Sequence, residues 1–533
     1  MARRAMLILP LALLATAFLF QAPEPVDRTA ISRIRDEGLN RSQVMDTVFW
    51  LSDRYGPRLN GSPEFEEAGD WAMERLRSWG VVNVHKERFA SGRGWSLLNF
   101  HATMVEPRVM PIIGIPKAWT PGIAGTTSAD VVRVVVTTEA DAARYRGTLR
   151  GKIVLLQAAR EVRMLEHGDG TVLRYADQNN KWAKEAMTPM PNPEYEQGSC
   201  AAPRSPDAGP REFSLGAFLR QEGVLAVFDR GPATDLAPGG SDLTWEQQRP
   251  DGGTIFVQDG ACPTTDPALT LPQVTIAVEH YNRMVRLLDH GVPVTVELNI
   301  QARFVEETRP NGFNIVGEIP GTDRADEVVL IGAHFDSWHA GTGATDNAAG
   351  AAAMMEVLRI LRATGLRPRR TIRIGLWGDE EAGLIGSAAY AEAHLGTAAA
   401  PTPERARLSV YFNLDNGTGP IRGIWTQGNR RAAPIFSAWA MPLKDLGVDI
   451  ISPRGVAGTD HESFDRLGVP AFQFVQERYE YNSRTHHSNM DVYDRIQPND
   501  VKQAATVAAV FAWQAATRDA LLPRTPAPAG GSR

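Results

Sequence analysis

Four short apolar runs in the second half of the chain set the strongest limit on its fold. They read VVLIG (Val328 to Gly332), TIRIGLW (Thr371 to Trp377), LSVYFNL (Leu408 to Leu414) and VPAFQFV (Val469 to Val475). Each is rich in β-branched and aromatic residues, and its apolar positions run on consecutively rather than alternating, so both faces of the strand are covered. A helical stretch, Ala348 to Ala363, lies between the first two. Strands and helices in this alternation predict an α/β domain with a mostly parallel central sheet flanked by helices. Open sheets of this type bind ligands beyond the carboxyl ends of their strands. That is where the chain keeps its most unusual polar residues.

The first cluster, AHFDSWHAGTGATDNAAG (Ala333 to Gly350), puts His334 directly after a strand. Asp336 is two residues on, a distance from which it could orient the imidazole. Asp346 opens the long helix, where a carboxylate can bridge two cations or cap the helix. The second cluster, LWGDEEAGLIGS (Leu376 to Ser387), holds Asp379, Glu380 and Glu381 side by side. Like charges at a buried strand end repel unless a cation or a shared proton is present. Adjacent glutamates suit a division of labour, one binding metal and the other taking a proton from water. In the third cluster, NLDNGTG, Asp415 again follows a strand, and the fourth, RTHHSNMDVYD, carries His486 and His487 with Asp491 as an outer partner. Taken singly, each fits an ordinary structural role: a helix cap, a solvated acidic turn, a turn aspartate, a pair of surface histidines. Together they bring imidazoles and carboxylates to one edge of one sheet. That donor set suits two divalent metal ions better than a single structural zinc.

The remainder of the chain frames this domain. At 533 residues it is too long for one ordinary core. The segment Ile31 to Leu51 reads as a helix. A second helix has Ser62 as its cap, Pro63 in its first turn and Gly80 at its end, with Phe65, Ala68, Ala72, Leu76 and Trp79 on one face. From about Pro107 to Ile300, short β-like runs separated by Gly/Pro/Asp-rich stretches predict an inserted β-rich domain. The N-terminus has Arg3 and Arg4 before an apolar run and small residues after it. This is the layout of a signal peptide over residues 1–22, with an uncleaved anchor as the alternative, and it predicts a secreted or periplasmic protein. No later stretch is apolar enough to span a bilayer. Cys200 and Cys262 could pair in an exported protein but are too few for a thiolate metal site. The net charge of -6 is dispersed, with no basic block to suggest a nucleic-acid partner. The Pro/Ala/Gly/Ser-rich tail, 521–533, reads as disordered.

The ordered set HFDS, GATDNAAG, WGDEEAGLIGS, NLDN, GTDHESFDRLGVPAF and HHSNMD resembles the zinc exopeptidase family that includes bacterial leucyl aminopeptidases, glutamate carboxypeptidase and carboxypeptidase Q. The likeness covers Leu51 to Gly80 and nearly all of Asn314 to Ala505. RGKIVLLQ, GVLAVFDR and LPQVTIAVEHYNRMVRLL resemble pieces of the protease-associated domain that many members carry at this point. The resemblance implies a zinc exopeptidase catalytic domain from 23–106 and 301–520, interrupted by a protease-associated insert at 107–300. It implies two zinc ions, one held by His334 and Asp415, the other by Glu381 and His487, with Asp346 bridging them. Glu380 would be the general base, Asp336 would orient His334, and a cis peptide would follow Asp346. The family's spacing to Asp491 selects His487 over His486. Tyr479 or Tyr481 would donate to the oxyanion. The expected function is an exported two-zinc exopeptidase acting on peptide substrates, an aminopeptidase first. A carboxypeptidase or dipeptidase of the carboxypeptidase Q type is the alternative. Glutaminyl cyclase, which shares the fold, and an inactive binding homologue rank lower, because every metal position and the base are filled by competent residues. Whether the insert gates the site or builds a homodimer is left open.

Overall fold

All four apolar runs form strands. In this computed structural model, which describes residues 24–160, 213–231, 253–258, 260–305, 310–415, 417–477, 479 and 481–525, they are Arg324–His334, Arg370–Trp377, Leu408–Asn413 and Ala471–Gln476. The signal-like segment 1–22, Cys200 and the tail beyond 525 lie outside the described residues. The four strands lie side by side in parallel, in the order Arg370–Trp377, Arg324–His334, Leu408–Asn413, Ala471–Gln476. Val82–Phe89 and Gly312–Ile319 extend one edge in antiparallel fashion, and Ile421–Trp425 and Ile450–Ser452 extend the other.

The consecutive apolar pattern has a direct cause in packing. Val329, Ile331 and Ala333 face the core shared with the helices Ala349–Ala363 and Pro498–Thr517. Their neighbours Val328 and Leu330 face the opposite core, with Tyr390, Leu395 and Phe464. Both faces of the sheet are thus closed by helices and the site is left to the strand ends. The Ser62 cap forms as expected, its side chain accepting from Phe65 N, and the helix Pro63–Ser78 buries Phe65, Ala68, Ala72 and Leu76. The single helix expected over Ile31 to Leu51 is instead two, Arg28–Asn40 and Val44–Phe49, followed by a π turn at Trp50–Arg54. The break is imposed from outside: the buried Glu356 carboxylate accepts from Ser42 Oγ (2.9 Å) and Gln43 N (3.0 Å), diverting those groups from a continuous helix.

A second eight-stranded sheet runs Met110–Pro111, Gly94–Glu106, Thr295–Val305, Thr127–Arg133, Ile153–Leu155, Ala226–Asp229, Gln273–Ile276, Gly114–Pro116. It reaches past both ends of the segment 107–300, since Gly94–Glu106 and Val305 belong to it. Pro107 marks a turn within this sheet and not its start. The helix Val278–Asp289 packs Tyr281, Met284 and Val285 into its core. Cys262 is disulfide-bonded, and the chain's other cysteine is Cys200.

The tail also departs from expectation, because residues 521–525 are held. Leu522 is 2% exposed. Arg524 donates to the carbonyls of Gly468, Arg405 and Leu408 at 3.2, 2.6 and 2.7 Å. A buried leucine and a guanidinium filled by carbonyls outweigh the flexible composition around them. Among the described residues, no helix is long and apolar enough to cross a membrane.

Candidate metal centre

His334 is the last residue of its strand, and the loop after it is tied down by one arginine. Arg58 is fully buried, and its guanidinium donates to four carbonyls: Phe335 (2.8 Å), Leu51 (2.6 Å), Thr342 (3.2 Å) and Gly343 (3.0 Å). Burial pulls this guanidinium down to about 10, against the opposing pull of Asp491, Asp336 and Asp346. Gly343 has φ 65 and presses so closely on Ser337 that a Cβ would sit 2.3 Å from its side chain. Beyond it the chain turns into the long helix through Asp346. Asp491 fixes this turn by accepting from Thr345 N at 2.5 Å and Asp346 N at 3.2 Å. The peptide joining Asp346 to Asn347 is cis, as the resemblance implies.

The structure brings His334, Asp346, Glu381, Asp415 and His487 together in two groups that share Asp346. His334 Nε2 stands 3.1 Å from Asp346 Oδ1 and 3.4 Å from Asp415 Oδ1. His487 Nε2 stands 3.4 Å from Asp346 Oδ2 and 3.0 Å from Glu381 Oε2. Each oxygen of Asp346 therefore faces a different imidazole. His486 also approaches, its Nε2 3.6 Å from Asp346 Oδ2, and its ring is sandwiched between Tyr481 and His487 with centroids 4.5 and 3.7 Å away.

One expected contact is joined by others. Asp336 meets His334 through its backbone carbonyl, 3.2 Å from Nδ1, and through a carboxylate oxygen 3.6 Å from the same nitrogen. That carboxylate also accepts from Glu380 N (3.2 Å) and Glu381 N (3.4 Å), so Asp336 shapes the turn that carries both glutamates. Asp491 is engaged with the Asp346 turn. The group at His487 Nδ1 is Gln258, 2.8 Å away. Of the two tyrosines, Tyr479 turns its hydroxyl to Asp500, whereas Tyr481 is buried against His486 and feels the charges of Asp346, Asp415 and Glu381.

The electrostatics call for cations. Burial pushes the Glu381 carboxyl up to about 7, with Asp346 adding to it and His487 opposing. Burial likewise raises Glu380 well above the carboxylate range, opposed by His334 and reinforced by Asp415, Asp460 and Glu381. Asp379, held in the left-handed region at φ 57 and hydrogen-bonded by Ser91, is raised by burial and by Asp336 to about 8. Asp460 is fully buried with no hydrogen-bond partner at either carboxylate oxygen, and burial raises it to about 8. Burial lowers the His334 imidazole, but Asp415 and Glu380 outweigh this and hold it well above its usual value. Asp346 Oδ2 and Glu381 Oε1 are buried with no hydrogen-bond donor. Orphaned carboxylate oxygens facing imidazole nitrogens fit divalent metal, which would stabilise the charged forms.

A cage of imidazole and carboxylate donors at the strand ends of a parallel sheet, with a second glutamate beside it, defines a metal-dependent hydrolase. Residues 314–512 match Peptidase family M28. Over 499 residues, 93% of this chain and 90% of the relative, the sequence is 28% identical to carboxypeptidase Q of Mus musculus. The fold is similar to that of a peptidase M28 precursor from Shewanella amazonensis, with a TM-score of 0.61 and 24% identity over 93% of this chain and 98% of the other. It is also similar to that of BSAP, a zinc aminopeptidase from Bacillus subtilis, with a TM-score of 0.52 and 16% identity over 89% and 95%. The M28 match is confined to residues 314–512, and the chain is a metallopeptidase with the zinc exopeptidase fold.

The motifs at strand ends announced most of these residues. Arg58 and Gln258 were missed. Arg58 sits in a segment whose likeness was noted, but no spacing rule marks a guanidinium that serves carbonyls. Gln258 lies outside every motif.

Proposed function

We propose that this chain is an exported exopeptidase that uses two zinc ions to remove terminal residues from peptides, acting as an aminopeptidase. The observation that carries the two-ion reading is Asp346, whose oxygens address His334 and His487 separately. His334 and Asp415 would hold one ion, Glu381 and His487 the other, and Asp346 both. The bound zincs would supply Lewis acidity to the scissile carbonyl and acidify a water. Glu381 turns Oε2 to His487, which leaves the adjacent Glu380, within electrostatic reach of His334 and Asp415, to act as base. Glu380 takes the proton of the attacking water and delivers it to the leaving amine. Asp336 holds both glutamates in register through their backbone N–H groups. Tyr481, packed on His486, would donate to the developing oxyanion.

Aminopeptidase action is favoured at Arg58, whose guanidinium is filled by carbonyls and so is not offered to a substrate carboxylate. The second reading, a carboxypeptidase or dipeptidase, is favoured by the likeness to carboxypeptidase Q along 93% of this chain. Export is supported by the signal-like N-terminus. The second sheet fits a protease-associated domain by its position and by the motifs that resemble one.

A panel of amino-acyl anilides, N-blocked dipeptides and unblocked dipeptides, run with zinc and after chelation, tests the reading. Chelator-sensitive cleavage of the anilides supports the aminopeptidase. Cleavage confined to substrates with a free carboxylate moves the activity to the second reading. Protein that binds fewer than two zinc ions per chain refutes the two-ion site.

A further inference from the structure

The loop that carries His487 is stitched to a short piece of the inserted region. Val257 N donates to His487 O at 2.9 Å, and Asn489 N donates to Ile255 O at 3.1 Å. Ile255 N donates to Asn489 Oδ1 at 2.7 Å, and Asn489 Nδ2 donates to Gly253 O at 2.8 Å. Phe256 and Ser488 form an antiparallel bridge. The backbone is thereby fixed on both sides of His487. At the side-chain level the Gln258 amide nitrogen Nε2 stands 2.8 Å from His487 Nδ1, and the Trp338 ring meets the imidazole edge-on, centroids 6.1 Å apart. The other ring nitrogen, Nε2, faces Glu381 and Asp346.

An imidazole that binds a cation through Nε2 is neutral and carries its proton on Nδ1. A primary amide can accept that proton through Oε1, and a half-turn about its terminal torsion exchanges Oε1 and Nε2 at the same distance. We infer that Gln258 is a positioning residue for the metal centre: it accepts from His487 Nδ1, fixes the ring's tautomer and aim, and makes the inserted region a working part of the site. This inference rests on the proposed role of His487 as a zinc ligand. It gives the insert a purpose beyond gating or association.

The test measures equilibrium zinc binding by competition with a chromophoric chelator, and visible absorption of the cobalt-loaded full chain, for wild type, Gln258→Leu, Gln258→Glu and His487→Ala. Gln258→Leu should weaken one of two sites by about 10- to 100-fold, the loss typical of an outer-shell partner, and His487→Ala should abolish that same site. Gln258→Glu, which restores an acceptor, should bind at least as tightly as wild type and shift the cobalt bands. Gln258→Leu with both zinc constants unchanged overturns the proposal. If Gln258→Leu melts early, Gln258→Glu decides: binding no weaker than wild type supports the proposal, and a site weakened in both variants overturns it. Wild type that binds no second ion would instead sink the two-zinc reading, a failure visible before any variant is made.

Discussion

Two sheets of eight strands each share this chain, and both contain a run of parallel strands, yet they handle the polar groups at their strand ends in opposite ways. In the second sheet, the groups beyond Ile153–Leu155 and at the end of Ala226–Asp229 are satisfied by their immediate neighbours. The Tyr281 hydroxyl donates to Gln157 O (3.0 Å) and accepts from Gln157 N (2.8 Å), while Asp229 Oδ1 accepts from Gly231 N (2.8 Å) and Thr275 Oγ1 (3.0 Å). In the catalytic sheet the corresponding groups face one another: His334, Asp346, Glu381, Asp415 and His487 converge, and some of their oxygens have no donor. Topology places residues at an edge. Chemistry arises only where the edge is left electrostatically incomplete.

The largest effect is expected at Glu380. Glu380→Gln keeps the shape and removes the base, and should lower kcat by roughly 10²- to 10⁴-fold while zinc content stays at the wild-type value. A rate within tenfold of wild type would break the assignment of chemistry to this edge. Next is Arg58→Leu, which strands four buried carbonyls. Urea unfolding should show a loss of about 3–5 kcal/mol, the scale of removing one partner from a buried charged network. Tyr281→Phe sharpens the contrast from the other side. It should cost about 1–2 kcal/mol in the same assay and leave kcat unchanged, because its hydroxyl serves only its own sheet.

The smallest effect concerns pH. Hydrogen bonds to Glu404 and Glu87 raise His394 from 6.5 to about 9. Its contribution to stability is therefore complete below pH 6.5 and fades as pH rises through about 9. The difference in melting temperature between wild type and His394→Gln should follow that window, and a difference that persists at pH 10 would refute the assignment.

What could be read from the sequence follows the range of the interactions involved. The strands, the Ser62 cap and the placement of His334, Glu380, Glu381 and Asp415 after strands depend on patterns within a few residues. Contacts between distant segments left no such pattern. Glu356 breaks the first helix from over 300 residues away. Asp491 was matched to His487 by spacing, but its carboxylate is occupied by backbone N–H groups of the Asp346 turn. Asp336 stands beside the His334 imidazole, as its spacing predicts, and also holds two amides that no spacing marks. Gln258 reaches the site only because a bridge between Phe256 and Ser488 brings it there. Leu522 and Arg524 sit in a stretch whose composition reads as disordered, and the core that takes Leu522 and the carbonyls that take Arg524 explain their order.

That anchored end has a practical consequence. Arg524 grips the carbonyl of Leu408, the first residue of a parallel strand, and Arg370, at the start of the parallel strand on the far side of Arg324–His334, donates to Ala515 O at 3.3 Å and to Arg518 O. The proposed metal ligands Glu381 and Asp415 follow the other ends of these strands. A reporter or tether joined directly after Arg524 would be attached at the base of the sheet, at the opposite strand ends from the candidate metal centre.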